Sequence, residues 1–327
     1  MKPSQRHLAL LSRWGGLSLS AALLCACSST PLPPTEGEPP ASAVSAPSAA
    51  SAAASASTAQ VEAVTTAVIT PQVLSTPGDA DSYSARDDAR ALARDIAQAH
   101  ELDEAWVWSA LSAARYKSQA ARLMMPAPRG TAKNWGVYRS RFIEPIRIRA
   151  GIAFWQQYQA ELQRAQAQYG VPAEIIAGVI GVETIYGRYT GNFRVLDVLT
   201  TLSLDFPTGR SDRSPFFKKE LGAFLKLCAE QQLAPDAVLG SYAGAIGWPQ
   251  FMPSSIRRWG VDFDGDGQVN LQRSPVDAIG SVAHYLAEHG WRTGQPTFFD
   301  VTPPEDAAAR AKLLAPDIVP SFSADEM

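Results

Sequence analysis

Gly170-Val171-Pro172-Ala173-Glu174-Ile175-Ile176-Ala177-Gly178-Val179-Ile180-Gly181-Val182-Glu183-Thr184-Ile185-Tyr186-Gly187 decides how this chain is read. Pro172 suits a first helical turn, with Gly170 just before it. Ile176, Val179, Ile180 and Glu183 recur at i, i+3, i+4 and i+7, the spacing of one helix face. Gly187 supplies a stop. The run therefore predicts a helix whose buried stripe ends on a carboxylate. A carboxylate enters such a stripe when it is paired or when it does chemistry. Desolvation and the negative end of the helix dipole both raise its pKa. A carboxyl raised toward neutrality can donate a proton as a general acid. Alternatively Glu183 is a structural partner of Arg188 or Arg194. This segment by itself leaves both readings open.

Helical patterns continue on both sides. They cover residues 84–99, 102–114, 149–169, 216–232 and 275–289, with shorter pieces at 235–239 and 305–314. Residues 135–142 are aromatic and basic, with Trp135, Tyr138 and Phe142. Strand signals are sparse. The expectation is a mainly α fold in one domain over 83–327, with long functional loops. The net charge of −3 offers no basic face for nucleic acid.

The first 26 residues carry Lys2, Arg6 and Arg13, no acid, and an apolar stretch from Leu17 to Leu24. They read as a targeting segment, too short to span a membrane. Leu24-Cys25-Ala26-Cys27-Ser28-Ser29 resembles a bacterial lipoprotein signal, with cleavage before Cys27 and lipid on its sulfur. Ser28 fits the type sorted to the outer membrane, which places the protein on that membrane's periplasmic face. A cleaved secretory signal without lipid is the alternative. Residues 27–82 are rich in Ala, Ser, Pro and Thr and read as a disordered tether. Of three cysteines, Cys228 alone stays in the folded part, where a buried core thiol is expected.

A second motif runs Ser241-Tyr242-Ala243-Gly244-Ala245-Ile246-Gly247-Trp248-Pro249-Gln250-Phe251-Met252-Pro253-Ser254-Ser255. Small residues allow close approach of a ligand or of backbone. Aromatics beside a few placed polar groups suit a sugar groove. A tightly packed loop between helices is the other reading. A third motif, Asp262-Phe263-Asp264-Gly265-Asp266-Gly267-Gln268, has the D-x-D-x-D-G start of a calcium loop. Asp262, Asp264 and Asp266 supply hard oxygens, and Gln268 a backbone carbonyl. A plain Asp/Gly turn is the alternative. Loop position 12, normally Glu, is Arg273.

These blocks, followed by P-V-D-A-I-G-S-V-A-H-Y-L from Pro275, together resemble the lytic murein transglycosylase B family from about residue 84 to about 296. The resemblance implies a lysozyme-like helical catalytic domain acting as a monomer on peptidoglycan glycan strands. It implies non-hydrolytic cleavage of the MurNAc-β-1,4-GlcNAc bond, leaving a 1,6-anhydro end. Glu183 maps onto the single catalytic acid. Ser241 and Gln250 map near it, Phe251 and Met252 onto the groove wall, and Tyr138 and Tyr285 onto groove tyrosines. Asp277 maps onto the closing metal ligand. The implied cofactors are none for catalysis and a structural Ca²⁺ or Na⁺. Arg210 and Arg213 fall in a segment that departs from the family and receive no role. The family's aromatic, Asn/Tyr-containing C-terminal segment finds no match after Pro303-Pro304, so either the sequence is cut short there or part of the groove is lacking. Two rivals follow. A hydrolase of the same bond would need a second carboxylate, with Asp197 and Asp205 nearest in sequence. A peptidoglycan-binding lipoprotein would need no chemistry.

Overall fold

A computed structural model describes residues 81–125, 134–298, 300 and 302–314. The expected signal segment, the Cys27 anchor and the tether lie outside the described residues, apart from the last two tether positions. Among the described residues there are twelve helices and two short strands. No helix there is long and apolar enough to cross a membrane.

Helix α1 (Asp87–His100) buries Ala89, Leu92, Ala93, Ile96 and Ala97, a heptad-like stripe. Glu101, in left-handed conformation, ends it. Asp103 then caps α2 (Glu104–Ala113), its Oδ1 accepting from Trp106 N at 2.7 Å. The short α3 (Ser118–Leu123) and α4 (Trp135–Ser140) follow. Helix α5 (Pro145–Gln157) starts on Pro145, with Glu144 accepting from Ile146 N and Arg147 N. Tyr158 separates it from α6 (Gln159–Tyr169), so the expected single helix over 149–169 is two. Its φ of −116° and ψ of 27° bend the chain. Tyr158 N still bonds Phe154 O, and Leu162 N bonds Tyr158 O. The apolar pattern thus runs on through the bend, because Phe154 and Leu162 both reach the core.

Gly170 ends α6 at φ 71°, and α7 (Ala173–Thr184) begins after Pro172. Pro172 has no capping side chain. Gln166 of α6 takes that role, its Oε1 accepting from Ala173 N at 2.8 Å. Strand β1 (Phe193–Arg194) leads into α8 (Val195–Leu204), which buries nine of its residues. Its all-round burial hides the helical period, which is why the sequence reading passed over it. Helix α9 (Ser214–Glu230) packs on it and carries Cys228, a core thiol that burial pushes up to about 12.

Residues 235–239, expected helical, form a turn and then enter β2 (Leu239–Gly240). Pairing with β1 is the competing force: Phe193 faces Gly240 and Arg194 faces Leu239, antiparallel. The approach is close enough that a Cβ on Gly191 would sit 2.1 Å from Gly240 O. Helices α10 (Pro253–Trp259), α11 (Pro275–Glu288) and α12 (Ala307–Leu313) complete the described chain. A hydrophobic core extends from Tyr83 to Ala283. The architecture is mainly helical.

Candidate active site

Helix α7 buries Ile176, Ala177, Ile180, Gly181 and Thr184. Glu183 lies at the margin of that face, half-buried, and not on its centre line. Burial alone pushes its carboxyl from 4.5 up to about 7. Neither hydrogen bond nor ion pair engages it among the described residues. The ion-pair alternative therefore fails. Arg194 is committed to Asp197, 3.5 Å away, and to Asp236 O, and Arg188 is exposed.

The chain turns sharply behind Glu183. Ile185, Tyr186 and Gly187 are all left-handed, at φ 50°, 56° and 79°. The helix thus ends at Thr184, three positions before the glycine expected to stop it. A β-branched residue in this region is strained by about 1–3 kcal/mol, and such strain gathers at functional sites. Packing holds the turn in place. The Tyr186 ring lies 5.0 Å from Phe154 and over Gly151 and Gly181, where any Cβ would meet its hydroxyl at 2.5 Å. The Trp248 indole covers Gly187, where a Cβ would meet it at 2.5 Å.

Thr184 joins the first motif to the second. Its Oγ1 donates to Trp248 O at 2.9 Å and accepts from Gly187 N at 3.0 Å. Gln250, 5 % exposed and left-handed at φ 52°, donates from Nε2 to Thr190 O and Gly247 O. Its amide nitrogen is thereby spent on the loop, and Oε1 has no donor among the described residues. Ser241 is buried, and its Oγ accepts from Ala243 N and Ala245 N. Both residues shape the loop between β2 and α10. Phe251 bridges to Ile246, and its ring lies 5.1 Å from Tyr285. Tyr285 also meets Trp259 and stacks on His289 at 3.9 Å. Met252 is half-buried at the start of α10. Tyr138 belongs to a separate stack, 5.7 Å from Trp135 and 5.0 Å from Phe142. Arg147 lies over Phe142 and donates Nε to Gly181 O at 2.9 Å, linking that stack to the last turn of α7.

Sequence reasoning missed three residues that tie these segments together: Thr184, Arg147, and Glu220 of α9, which accepts from Ser254 N at 3.0 Å. Thr184 had a signal, since it follows the acid directly and sits on the helix face that packs. Arg147 and Glu220 act on segments more than 30 residues away in sequence, which local pattern cannot register.

Asp262, Asp264 and Asp266 bring one carboxylate oxygen each within 4.8 Å of one another. Asp277 stands apart from this trio. It is fully buried, with Oδ1 accepting from Phe263 N and Asp264 N and Oδ2 from Asn270 N. It braces the loop, and Gln268 N donates to Asp266 Oδ1. Arg210 donates to Met124 O and lies over Phe206, and Arg213 lies over Phe216. Both have packing roles.

Neither carboxylate of the hydrolase rival is at liberty to direct a water. Asp197 is 0 % exposed, accepts from Arg115 N and lies near Lys117 and Arg194. Asp205 holds Arg86 and accepts from Tyr83 Oη.

Residues 84–319 match the family model of the transglycosylase SLT domain. Membrane-bound lytic murein transglycosylase B of Escherichia coli is 44 % identical over 203 residues, which are 60 % of this chain and 55 % of that protein. The chain thus spans little more than half the length of that curated relative. The catenated lytic transglycosylase SltB1 of Pseudomonas aeruginosa superposes with a TM-score of 0.61 at 44 % identity, over 65 % of this chain and 69 % of that one. The Escherichia coli lytic transglycosylase Slt35 in complex with calcium gives 0.60 at 42 %, over 66 % and 67 %. With the family model matching most of the described residues and Glu183 left unpartnered at the end of its helix, this chain belongs to the transglycosylase SLT domain family.

Proposed function

We propose that this chain is a lytic transglycosylase of peptidoglycan, cleaving the MurNAc-β-1,4-GlcNAc bond without water. The observation that carries this reading is the carboxyl of Glu183, unpaired and raised to about 7 by burial. Such a group is protonated enough to give a proton near neutrality and basic enough to take one back. Glu183 first protonates the glycosidic oxygen as the bond to C1 of the muramic acid breaks. The N-acetyl carbonyl of that sugar stabilises the positive centre. The Glu183 carboxylate then removes the proton of the C6 hydroxyl as that oxygen bonds to C1. The 1,6-anhydro ring closes and the acid is regenerated. No second carboxylate is required, in keeping with the commitments of Asp197 and Asp205. Gln250 Oε1, Phe251, Met252, Tyr285 and Tyr138 supply the groove, with Ser241 setting the loop.

The name of the Escherichia coli relative supports attachment to a membrane, and we assign Cys27 as the lipidated residue on the periplasmic face of the outer membrane. The Asp262, Asp264 and Asp266 trio fits a hard cation, since three crowded carboxylates repel without one. Calcium bound to the Slt35 relative supports the same assignment. A cation held there would be structural, fixing the loop between α10 and α11. Asp277 serves that site from behind, by ordering the backbone.

Mass spectrometry of fragments released from purified peptidoglycan by the 81–327 unit tests the proposal, with Glu183→Gln alongside. Anhydro-ended products from the unaltered protein alone are expected. Reducing-end products, heavier by one water, would replace this reading with hydrolysis. Binding without release would replace it with a binding protein.

A further inference from the structure

Helix α10 starts without a cap of its own. Its N-cap residue is Met252, extended at φ −68° and ψ 151°, with no side-chain hydrogen bond. Ser, Thr, Asp or Asn normally fills this position. Pro253 follows and has no N–H to give. The first N–H of the helix is that of Ser254, and it crosses to α9. Glu220 Oε2 accepts from Ser254 N at 3.0 Å, and Oε1 accepts from Ser254 Oγ at 2.6 Å. Glu220 is 4 % exposed, and no cation pairs with it among the described residues. Burial pushes its carboxyl up, and the two bonds from Ser254 draw it back down.

A buried carboxylate without a cation is a costly way to cap a helix. A serine at position 252 would do it locally, but that position is taken. Gln250, Phe251 and Met252 form the stretch assigned to the glycan, and they run directly into Pro253. The front of this stretch is tied down by Thr184 and by the side chain of Gln250. The left-handed Gln250 adds local strain that something must hold. At the rear, the bonds from Ser254 to Glu220 anchor the first turn that follows.

We propose that Glu220 is a positioning residue for substrate binding, clamping Ser254 so that Gln250, Phe251 and Met252 keep the conformation that grips the glycan. The proposal rests on the transglycosylase reading for its kinetic part and stands on geometry for its structural part. Gln at 220 can keep both contacts, accepting from Ser254 N and donating to Ser254 Oγ. Met at 220 keeps the volume and loses both.

The test compares wild type, Glu220→Met, Ser254→Ala and Glu220→Gln. Amide hydrogen exchange should rise about ten-fold in residues 247–256 of Glu220→Met and less in Ser254→Ala, with α1 and α7 unchanged. On soluble glycan fragments of peptidoglycan, KM should rise about five-fold in both, with kcat within about two-fold. The pH profile set by Glu183 should stay in place, and Glu220→Gln should behave as wild type. Exchange unchanged at 247–256, or raised evenly through the chain, overturns the clamp. So does a fall in kcat at constant KM, or a Gln variant as impaired as the Met one. If wild type releases no anhydro product, the transglycosylase reading falls, and the exchange data alone decide the clamp.

Discussion

Glu183 and Asp197 are carboxylates on consecutive helices, and their surroundings are opposite. Asp197 is sealed from solvent and answered by Arg115 N, Lys117 and Arg194. Glu183 is half-buried and answered by nothing among the described residues. The partners of Asp197 tie the start of α8 to the strand and to the α2–α3 connection. Burial without partners keeps an acid near the point where it gains or loses its proton, which is what proton transfer requires. Asp197 is the more deeply buried of the two. The count of partners is what sets them apart.

The largest expected effect comes from breaking the saturated side of this contrast. Asp197→Ala leaves cations and an amide without their anion and should cost about 3–5 kcal/mol in a urea melt. Activity per folded molecule should hold, and a selective loss of catalysis would mean that Asp197 acts on substrate after all.

Next is the unpartnered side. The folded-state pKa of Glu183, about 7, lies above its ordinary value of 4.5. Its full stability is therefore present below about 4.5 and is lost as pH rises through 7. Glu183→Gln should then be more stable than wild type at pH 9, by roughly 2–3 kcal/mol, and equal to it near pH 4. The same variant should lose activity by about 10²–10⁴-fold. In wild type, kcat/KM should fall as pH passes above 7. A variant that is inactive and no more stable at pH 9 would point to a partner for Glu183 under solution conditions.

Calcium gives a smaller effect. At about ten times its Kd, a ligand specific for the folded state adds about 1.4 kcal/mol, a rise of a few degrees in Tm. Asp264→Ala should abolish that rise, while Asp277→Asn should lower Tm with and without the ion, since Asp277 braces backbone. Equal calcium responses in wild type and Asp264→Ala would remove the metal assignment.

Smallest is Thr184→Val, which leaves Gly187 N and Trp248 O without their hydroxyl. It should cost about 1 kcal/mol. It should also lower kcat/KM more than it lowers stability, because the bond it removes joins the two motifs. Equal losses would make Thr184 a packing residue only.

The periodic helices and the acid at the end of α7 were legible because local spacing encodes them. Helix α8 was not, since it is buried on all sides and its β-branched run carries no polar face. The bend at Tyr158 escaped because hydrogen bonding and apolar spacing both continue through it. Ser241 and Gln250 were legible as members of one compact loop, whereas their contacts were not. Their polar atoms go largely to nearby backbone, a distribution that only coordinates reveal. Asp277 shows the same limit: its place in the first turn of α11 is encoded locally, and its turn toward three amides depends on how α11 packs.

The uncapped start of α10 bears on how such a protein diversifies. A residue that must both touch a ligand and end a helix is constrained twice, and it changes slowly. Delegating the cap to α9 frees position 252 from the second constraint. On the proposed reading of Met252 as a wall of the groove, Leu, Phe or Gln could replace it without unravelling the helix behind it, and that wall can drift toward new glycan decorations while the scaffold stays fixed.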